Sequence, residues 1–197
     1  GREPAGTGTN YPDHVPNPCH AAFAVLAALR YRRRTGRGQF IDLAQLEPTV
    51  ALLGPTLLDL TVNGRMQERQ GNGHEHAAPH GVYPCMGDDR WIAIAVTSDA
   101  QWARMISILS HPDLREGRWR DQSVRHREGR ELDARISRQT ASWDAEELMN
   151  RLQAAGVSAG VVRTAADLLG RDPQLAHRGH WVRMNHAEMG DTVYNAP

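Results

Sequence analysis

The feature that most constrains the fold is one continuous stretch near the N-terminus, PCHAAFAVLAALRYRRRTGRGQFIDLAQLE, at residues 18–47. Its first part is rich in Ala and Leu and apolar nearly all round, which predicts a helix over residues 18–34. Asn17 and Pro18 suit an N-cap followed by proline at the first helical position. Arginines crowd the other end and complement the negative end of the helix dipole. The arginine run therefore needs no ligand to explain it.

A turn and a strand are predicted directly after this helix. Thr35-Gly36-Arg37-Gly38 suits a left-handed C-cap and a tight turn. Residues 39–43, QFIDL, alternate as in a short strand, and a second helix is predicted from about Ala44. A helix–turn–strand–helix unit of this kind indicates an α/β fold.

The middle of the chain reads as a broken helix and a long loop. Residues 47–64 are apolar at helical spacing, are interrupted by Pro55 and end at Asn63-Gly64. Residues 65–80 have no hydrophobic period and several turn formers, which predicts an extended loop.

A second, smaller α/β domain is predicted to begin near residue 79. GVYPCMGDDRWIAIAVTS predicts a β-hairpin with a Gly-Asp-Asp turn. Capping residues and periodicity then predict helices over residues 99–110, 112–118, 126–141 and 144–155, a strand at 158–162, helices after Thr164 and from Asp172, and a strand at 181–185.

Composition excludes several functional classes. The 197 residues contain 23 basic and 23 acidic side chains, so no global field favours nucleic acid as a partner. No run approaches the roughly 18 apolar residues that a membrane span needs, so we expect no membrane partner. Two cysteines, Cys19 and Cys85, have no zinc or Cys-x-x-Cys spacing, and we expect a reducing, cytoplasmic location.

The loop at residues 70–78 concentrates groups that can bind ligands. His74, His76 and His80 lie at metal-like spacing, but no cysteine or helical i, i+4 histidine pair completes a set, so we expect no metal. Gly71-Asn72-Gly73 lacks the helix start that a phosphate-binding motif requires. We interpret this segment as a flexible loop.

Asp13 lies four residues before the Asn17-Pro18 helix start. A carboxylate there would lie near backbone N–H groups of a helix N-terminus, which suits a nucleophile whose reaction creates an oxyanion. An ordinary Asx-turn aspartate gives the same pattern. The residues alone leave both interpretations open.

Three segments together resemble the class III CoA-transferases, the CaiB/BaiF family. AAFAVLAALRYRRRTGRGQFIDLAQLE is similar to the family's Ala/Leu helix, TGxGQ turn and following strand. APHGVYPCMGDDRWIAIAVTSDAQW is similar to its small-domain hairpin, and GVSAGVVRTAADLLGRDPQLAHRG to its closing segment. The resemblance covers essentially the whole chain and matches the C-terminal half of family members.

This resemblance implies a Rossmann-like large domain and a small α/β domain in an interlocked homodimer. Residues 1–50 are then a large-domain segment, 51–78 a linker helix and loop, 79–158 the small domain, and 159–197 the return to the large domain. Coenzyme A contacts would come largely from the N-terminal half, so none is assigned to a residue here.

The resemblance also implies the chemistry. Asp13 matches the family's catalytic aspartate, although prolines stand where glycine is common. Loop residues Gly71, Asn72, Gly73 and His74 match a glycine-rich flap that shields covalent intermediates from water. The implied activity is CoA transfer between carboxylic acids, with acyl-CoA and a carboxylic acid as small-molecule partners and no metal.

Two alternatives stay open at this point. An acyl-CoA racemase of the same family would use Asp13 as an acid and base. A non-catalytic CoA-binding or dimerisation remnant would form no covalent Asp13 species. We also expect the 197-residue chain to be inactive by itself.

Overall fold

The computed structural model describes residues 11–68 and 70–195 and divides the chain into two compact units, 1–71 and 72–197. They are called the N-terminal and C-terminal units below. Helices and strands are mixed along the described chain, which confirms the predicted α/β class. Within this part of the chain, no helix is both long and apolar enough to cross a bilayer.

The N-terminal unit is built from four helices: α1 (Tyr11–His14), α2 (Pro16–Thr35), α3 (Leu46–Leu52) and α4 (Gly54–Asn63). The long Ala/Leu helix is confirmed as α2. It ends at Gly36, which adopts a left-handed conformation (φ 73°) and donates its N–H to the Arg32 carbonyl at 2.8 Å. This is the C-cap that the Thr-Gly turn predicts.

The start of α2 differs from the prediction. The helix begins at Pro16, and its N-cap is Val15 without a side-chain hydrogen bond, so the assignment of Asn17 as N-cap is wrong. The Asn17 side chain instead donates back to Asp13 across one turn. Two prolines in the first turn supply the fixed φ that a helix start favours.

The predicted strand at residues 39–43 is also wrong. Residues 37–44 have no helix or strand, and the Phe40 side chain is 92% exposed. A strand exists only where its N–H and C=O groups pair with a neighbour, and no described segment pairs with this one. The broken helix that follows is confirmed: α3 and α4 are separated at Leu53, and Gly64 closes α4.

The C-terminal unit is organised by a three-stranded antiparallel sheet in the order β1 (His80–Pro84), β2 (Trp91–Ala95), β3 (Ser158–Val161). Register pairs Tyr83 with Ile92 and Ile94 with Ala159. The predicted hairpin is thereby confirmed. The expected return to the large domain at residue 159 falls inside β3, which pairs with the strand of the expected small domain.

Three helices provide the main core on one face of this sheet: α5 (Asp99–Leu109), α7 (Gly129–Thr140) and α8 (Ala145–Ala154). Side chains that point to this face from β2 are fully buried, whereas their alternating neighbours are only half-buried. The core includes Tyr83, Ile92, Ile94, Trp102, Met105, Leu114, Trp119, Leu132, Ile136, Leu148 and Leu152.

Shorter elements complete the C-terminal unit. The predicted helix at 112–118 is two 3₁₀ turns, Pro112–Leu114 and Gly117–Arg120, and the one at 126–141 is divided into α6 (Gln122–Arg127) and α7. After β3 come α9 (Ala165–Gly170), α10 (Pro173–His177) and an antiparallel hairpin of β4 (Trp181–His186) and β5 (Gly190–Asn195).

Candidate active site

Asp13 lies in the short helix α1, immediately before the start of α2. Its side chain is exposed, and its Oδ1 accepts a long hydrogen bond of 3.4 Å from Asn17 Nδ2. The Asn17 side chain is 6% exposed, and its Oδ1 has no hydrogen-bond partner. The carboxylate is thus accessible and makes one long hydrogen bond, an arrangement compatible with a nucleophile.

The first turn of α2 offers fewer oxyanion donors than a typical helix start. Pro16 and Pro18 have no N–H. The Cys19 N–H already donates to the Val15 carbonyl at 3.2 Å. The backbone N–H of Asn17 is therefore the donor that this turn offers next to Asp13. The expectation of several N–H donors is reduced to this one.

The loop at residues 70–78, here called the flap loop, begins with a turn at Gly71 (φ 60°) and Asn72. The Asn72 carbonyl accepts a hydrogen bond from His80 Nδ1 at 2.5 Å. His74 pairs as an isolated β-bridge with Ala77, and His74 Nδ1 accepts from the His76 N–H at 3.0 Å. Asn72, Gly73 and His74 thus lie in one compact turn of the C-terminal unit.

The histidines of this region are close together without forming a metal site. The His74 and His80 rings lie 5.2 Å apart, and the His74 and His76 rings 6.0 Å apart. Both His80 Nδ1 and His74 Nδ1 are used by loop hydrogen bonds. In the described part of the chain, no group of three or more His, Cys, Asp or Glu side chains could hold a metal ion.

A concavity of about 440 Å³ lies on the sheet face opposite the core, and the flap loop reaches it through Asn72. Small side chains of the sheet leave this space open. Its lining includes Asn72, His80, Val82, Ala93, Ala95, Ser158 and Gly160.

Cys85 is not suited to act as a nucleophile. The thiol is buried, and this burial, with the nearby Asp144 carboxylate, raises its pKa to about 11. The thiol therefore stays protonated at neutral pH, and the thiolate is the reactive form.

Sequence reasoning missed the residues that hold the flap loop. Arg125 on α6 is fully buried, and its Nε donates to the Ala78 carbonyl at 2.8 Å. Gln122, one turn earlier on α6, donates from Nε2 to the His76 carbonyl at 2.9 Å. Each contact spans more than forty residues of sequence. Both acceptors are backbone carbonyls, so no residue type in the loop signals them.

Comparison with known proteins assigns the chain to a class of enzymes. The model of CoA-transferase family III matches residues 1–197. The chain belongs to this family.

Particular relatives agree with this assignment. The chain is 35% identical over 179 residues to the probable CoA-transferase Rv1866 of Mycobacterium tuberculosis, a match that covers 90% of the chain and 22% of that protein. It is 29% identical over 172 residues to the succinyl-CoA–D-citramalate CoA-transferase of Chloroflexus aurantiacus, covering 87% and 42%. A succinate–glutarate CoA-transferase of Agrobacterium fabrum is 29% identical over 175 residues, covering 88% and 43%.

A solved structure from the same family has a similar fold. A crystal structure of a CaiB/BaiF family protein from Brucella suis superposes with a TM-score of 0.79 at 25% identity, covering all of this chain and 54% of that one. The chain spans less than half the length of the curated relatives named above.

Proposed function

We propose that the complete protein carrying these 197 residues transfers coenzyme A between carboxylic acids through a covalent intermediate on Asp13. The observation that supports this most directly is the exposed Asp13 carboxylate immediately before α2, in a chain of CoA-transferase family III. The relatives named succinyl-CoA–D-citramalate CoA-transferase and succinate–glutarate CoA-transferase support acyl-CoA and a carboxylic acid as the substrate classes.

The proposed reaction proceeds in balanced steps. The Asp13 carboxylate attacks the thioester carbonyl, and the carbon–sulfur bond breaks, which releases CoA as a thiolate and leaves a mixed anhydride between Asp13 and the donor acid. The thiolate then attacks the aspartyl carbonyl and releases the donor acid, which leaves an aspartyl-CoA thioester. The acceptor carboxylate attacks this thioester, and the carbon–sulfur bond breaks again, which releases the thiolate and forms a second anhydride. The thiolate returns to the acceptor carbonyl and restores Asp13.

The chain's own groups support these steps in two ways. The Asn17 backbone N–H, in the turn that follows Asp13, is proposed to donate to an oxyanion formed at the aspartyl carbonyl. The flap loop, with Gly71, Asn72, Gly73 and His74, is proposed to keep water from the anhydrides.

The experiment uses the complete protein and a panel of acyl-CoA thioesters. After incubation, hydroxylamine converts an activated Asp13 carbonyl into a hydroxamate, which peptide mass spectrometry locates. We expect the hydroxamate on Asp13 in the wild type, none in Asp13→Asn, and a normal yield in Asp42→Asn, a matched exposed aspartate of the same unit.

Other outcomes identify the alternatives. An unmodified Asp13 together with α-deuterium exchange into the acyl-CoA would identify a racemase. Bound CoA with neither signal would identify a non-catalytic remnant. Either result would overturn the proposed transfer.

A further inference from the structure

The flap loop is anchored to the core at its C-terminal end. Ala77 and Ala78 are 3% and 5% exposed, and the Ala78 N–H donates to the Val96 carbonyl at 2.9 Å. This bond continues the β1–β2 ladder by one step into the loop. Toward the N-terminal side, the described contacts are polar and near the surface.

Helix α6 holds this end of the loop with two side chains on one face. Gln122 and Arg125 are three residues apart, so they project from the same side of the helix. They bind alternate carbonyls of the loop, those of His76 and Ala78. Asp121 caps α6 by accepting from the Ser123 N–H and hydroxyl, which fixes the start of the helix.

Arg125 is itself rigidly fixed. Its guanidinium also donates to the carbonyls of Trp119 and Arg120 at 2.7 and 3.0 Å and to Asp99 Oδ1 at 2.8 Å. It lies 5.2 Å from the Trp102 ring centroid. Because these partners fix the buried guanidinium, it holds the Ala78 carbonyl in one position.

Gln122 makes the weaker of the two contacts between α6 and the loop. It is partly exposed and binds the loop through one neutral hydrogen bond. The backbone N–H of the same residue, His76, donates to His74 Nδ1, so the two hydrogen bonds connect Gln122 to the His74 ring through His76. Removing the Gln122 amide takes away the α6 contact of the segment that carries His74, while the Ala78 bonds to Arg125 and Val96 stay intact.

We infer that Gln122 and Arg125 are positioning residues that set the geometry of the flap loop, and that Gln122 thereby controls how well the covalent intermediates are protected from water. This inference rests on the proposed function of the loop. It assigns to α6, which contributes no candidate catalytic residue, a role in the partition between transfer and hydrolysis.

The test compares Gln122→Ala with Gln153→Ala in the complete protein. Gln153 is a matched control, since its Nε2 also donates to one backbone carbonyl, that of Ala159, at a distance of 2.7 Å outside the loop. Two quantities are measured: hydrogen exchange of peptides covering residues 74–78, and the ratio of acyl-CoA hydrolysis to CoA transfer.

We expect Gln122→Ala to raise both the exchange rate at 74–78 and the hydrolysis-to-transfer ratio about fivefold, the factor that one neutral hydrogen bond contributes. Gln153→Ala should leave both unchanged. Gln122→Arg keeps N–H donors on a longer side chain and should return the ratio toward the wild-type value.

The contrary results are distinct. Unchanged exchange in Gln122→Ala would overturn the anchoring role, and faster exchange with an unchanged ratio would overturn the control of hydrolysis. A wild type without CoA transfer would overturn the proposed function and with it the catalytic part of the inference. Exchange at 74–78 would still decide whether Gln122 holds the loop.

Discussion

At the scale of single residues, the half-buried Asp133 next to the C-terminal core is an acid whose ionisation opposes folding. Asp133 on α7 accepts a hydrogen bond of 2.7 Å from the hydroxyl of Tyr83, which is 1% exposed. Burial raises the pKa of Asp133, and the bond from Tyr83 offsets this only in part. A raised pKa in the folded state means that stability falls as pH rises from the unfolded value toward the folded one.

Replacing the charge with a neutral acceptor tests this point. Asp133→Asn keeps an oxygen that can accept from Tyr83 and removes the ionisation. We therefore expect the variant to unfold at a higher urea concentration at pH 7, with a free energy of unfolding that is larger by up to about 1 kcal/mol after allowance for solvent screening. The two proteins should differ least below pH 4, where the wild-type acid is protonated in both states. Asp88→Asn, an exposed aspartate in the β1–β2 turn, is the control, and a lower stability of Asp133→Asn at pH 7 would contradict the argument.

At the scale of elements, α9 begins with a capping box that also ties the helix to the β1–β2 hairpin. Asp167 accepts from the Thr164 N–H and hydroxyl at 3.0 and 2.8 Å, while the Thr164 hydroxyl accepts from the Asp167 N–H. Arg90 of the hairpin turn donates to the same carboxylate at 2.7 Å. These donors hold the pKa of Asp167 well below its ordinary value.

Because folding lowers the pKa of Asp167, its ionised form stabilises the folded protein at pH values above the unfolded-state pKa. This stabilisation is lost as the pH falls through the folded-state pKa. We therefore expect Asp167→Asn to lower the urea midpoint at pH 7, with a difference that shrinks steadily below pH 4. Asp172→Asn changes the N-cap of α10, which accepts from the Leu175 N–H, and should lower the midpoint much less, because Asn caps a helix as well as Asp does. An equal loss in the two variants at pH 7 would show that the ion pairs of Asp167 with Arg90 and Arg171 add nothing to the cap.

Elements fixed by local chemistry could be predicted from the sequence, and those that depend on distant partners could not. Ser98, Asp144 and Thr164 each cap a helix with their own side chain, within three residues of the N–H that they bind. The segment 39–43 was predicted as a strand from alternation alone, but alternation supplies no partner for its backbone. Strand β5 was missed because Gly190, Asp191 and Thr192 open it without an apolar pattern.

The same distinction between local and distant contacts applies to the candidate site. Asp13 was proposed from the sequence because it precedes the Ala/Leu helix that resembles the family's, where the catalytic aspartate is expected. The surroundings of Asp13 were not predicted. They depend on the exact start of α2, which places Pro16, without an N–H, and the Asn17 side chain beside the aspartate. Gln122 and Arg125 bind backbone carbonyls far away in the chain, a contact that only folding brings about.

At the scale of the whole molecule, the two units differ in how they bury apolar side chains. The C-terminal unit encloses a continuous core, whereas the described part of the N-terminal unit buries only Pro16, Asn17 and Pro48. In α2, Phe23 and Leu26 are 75% and 66% exposed on one face, and Val25 and Leu29 are 47% and 43% exposed on another. A helix that is apolar all round is normally buried on all sides.

This exposure supports the homodimer that we propose for the complete protein, with α2 covered by further protein surface. Monomeric proteins rarely leave large apolar patches in water. We expect light scattering coupled to size-exclusion chromatography to give twice the chain mass at micromolar concentration. Phe23→Glu with Leu26→Glu should reduce this mass or the yield of folded protein, whereas Arg33→Glu, exposed at the polar end of the same helix, should change neither. A monodisperse monomer with unchanged transfer activity would show that the rest of the same chain covers α2.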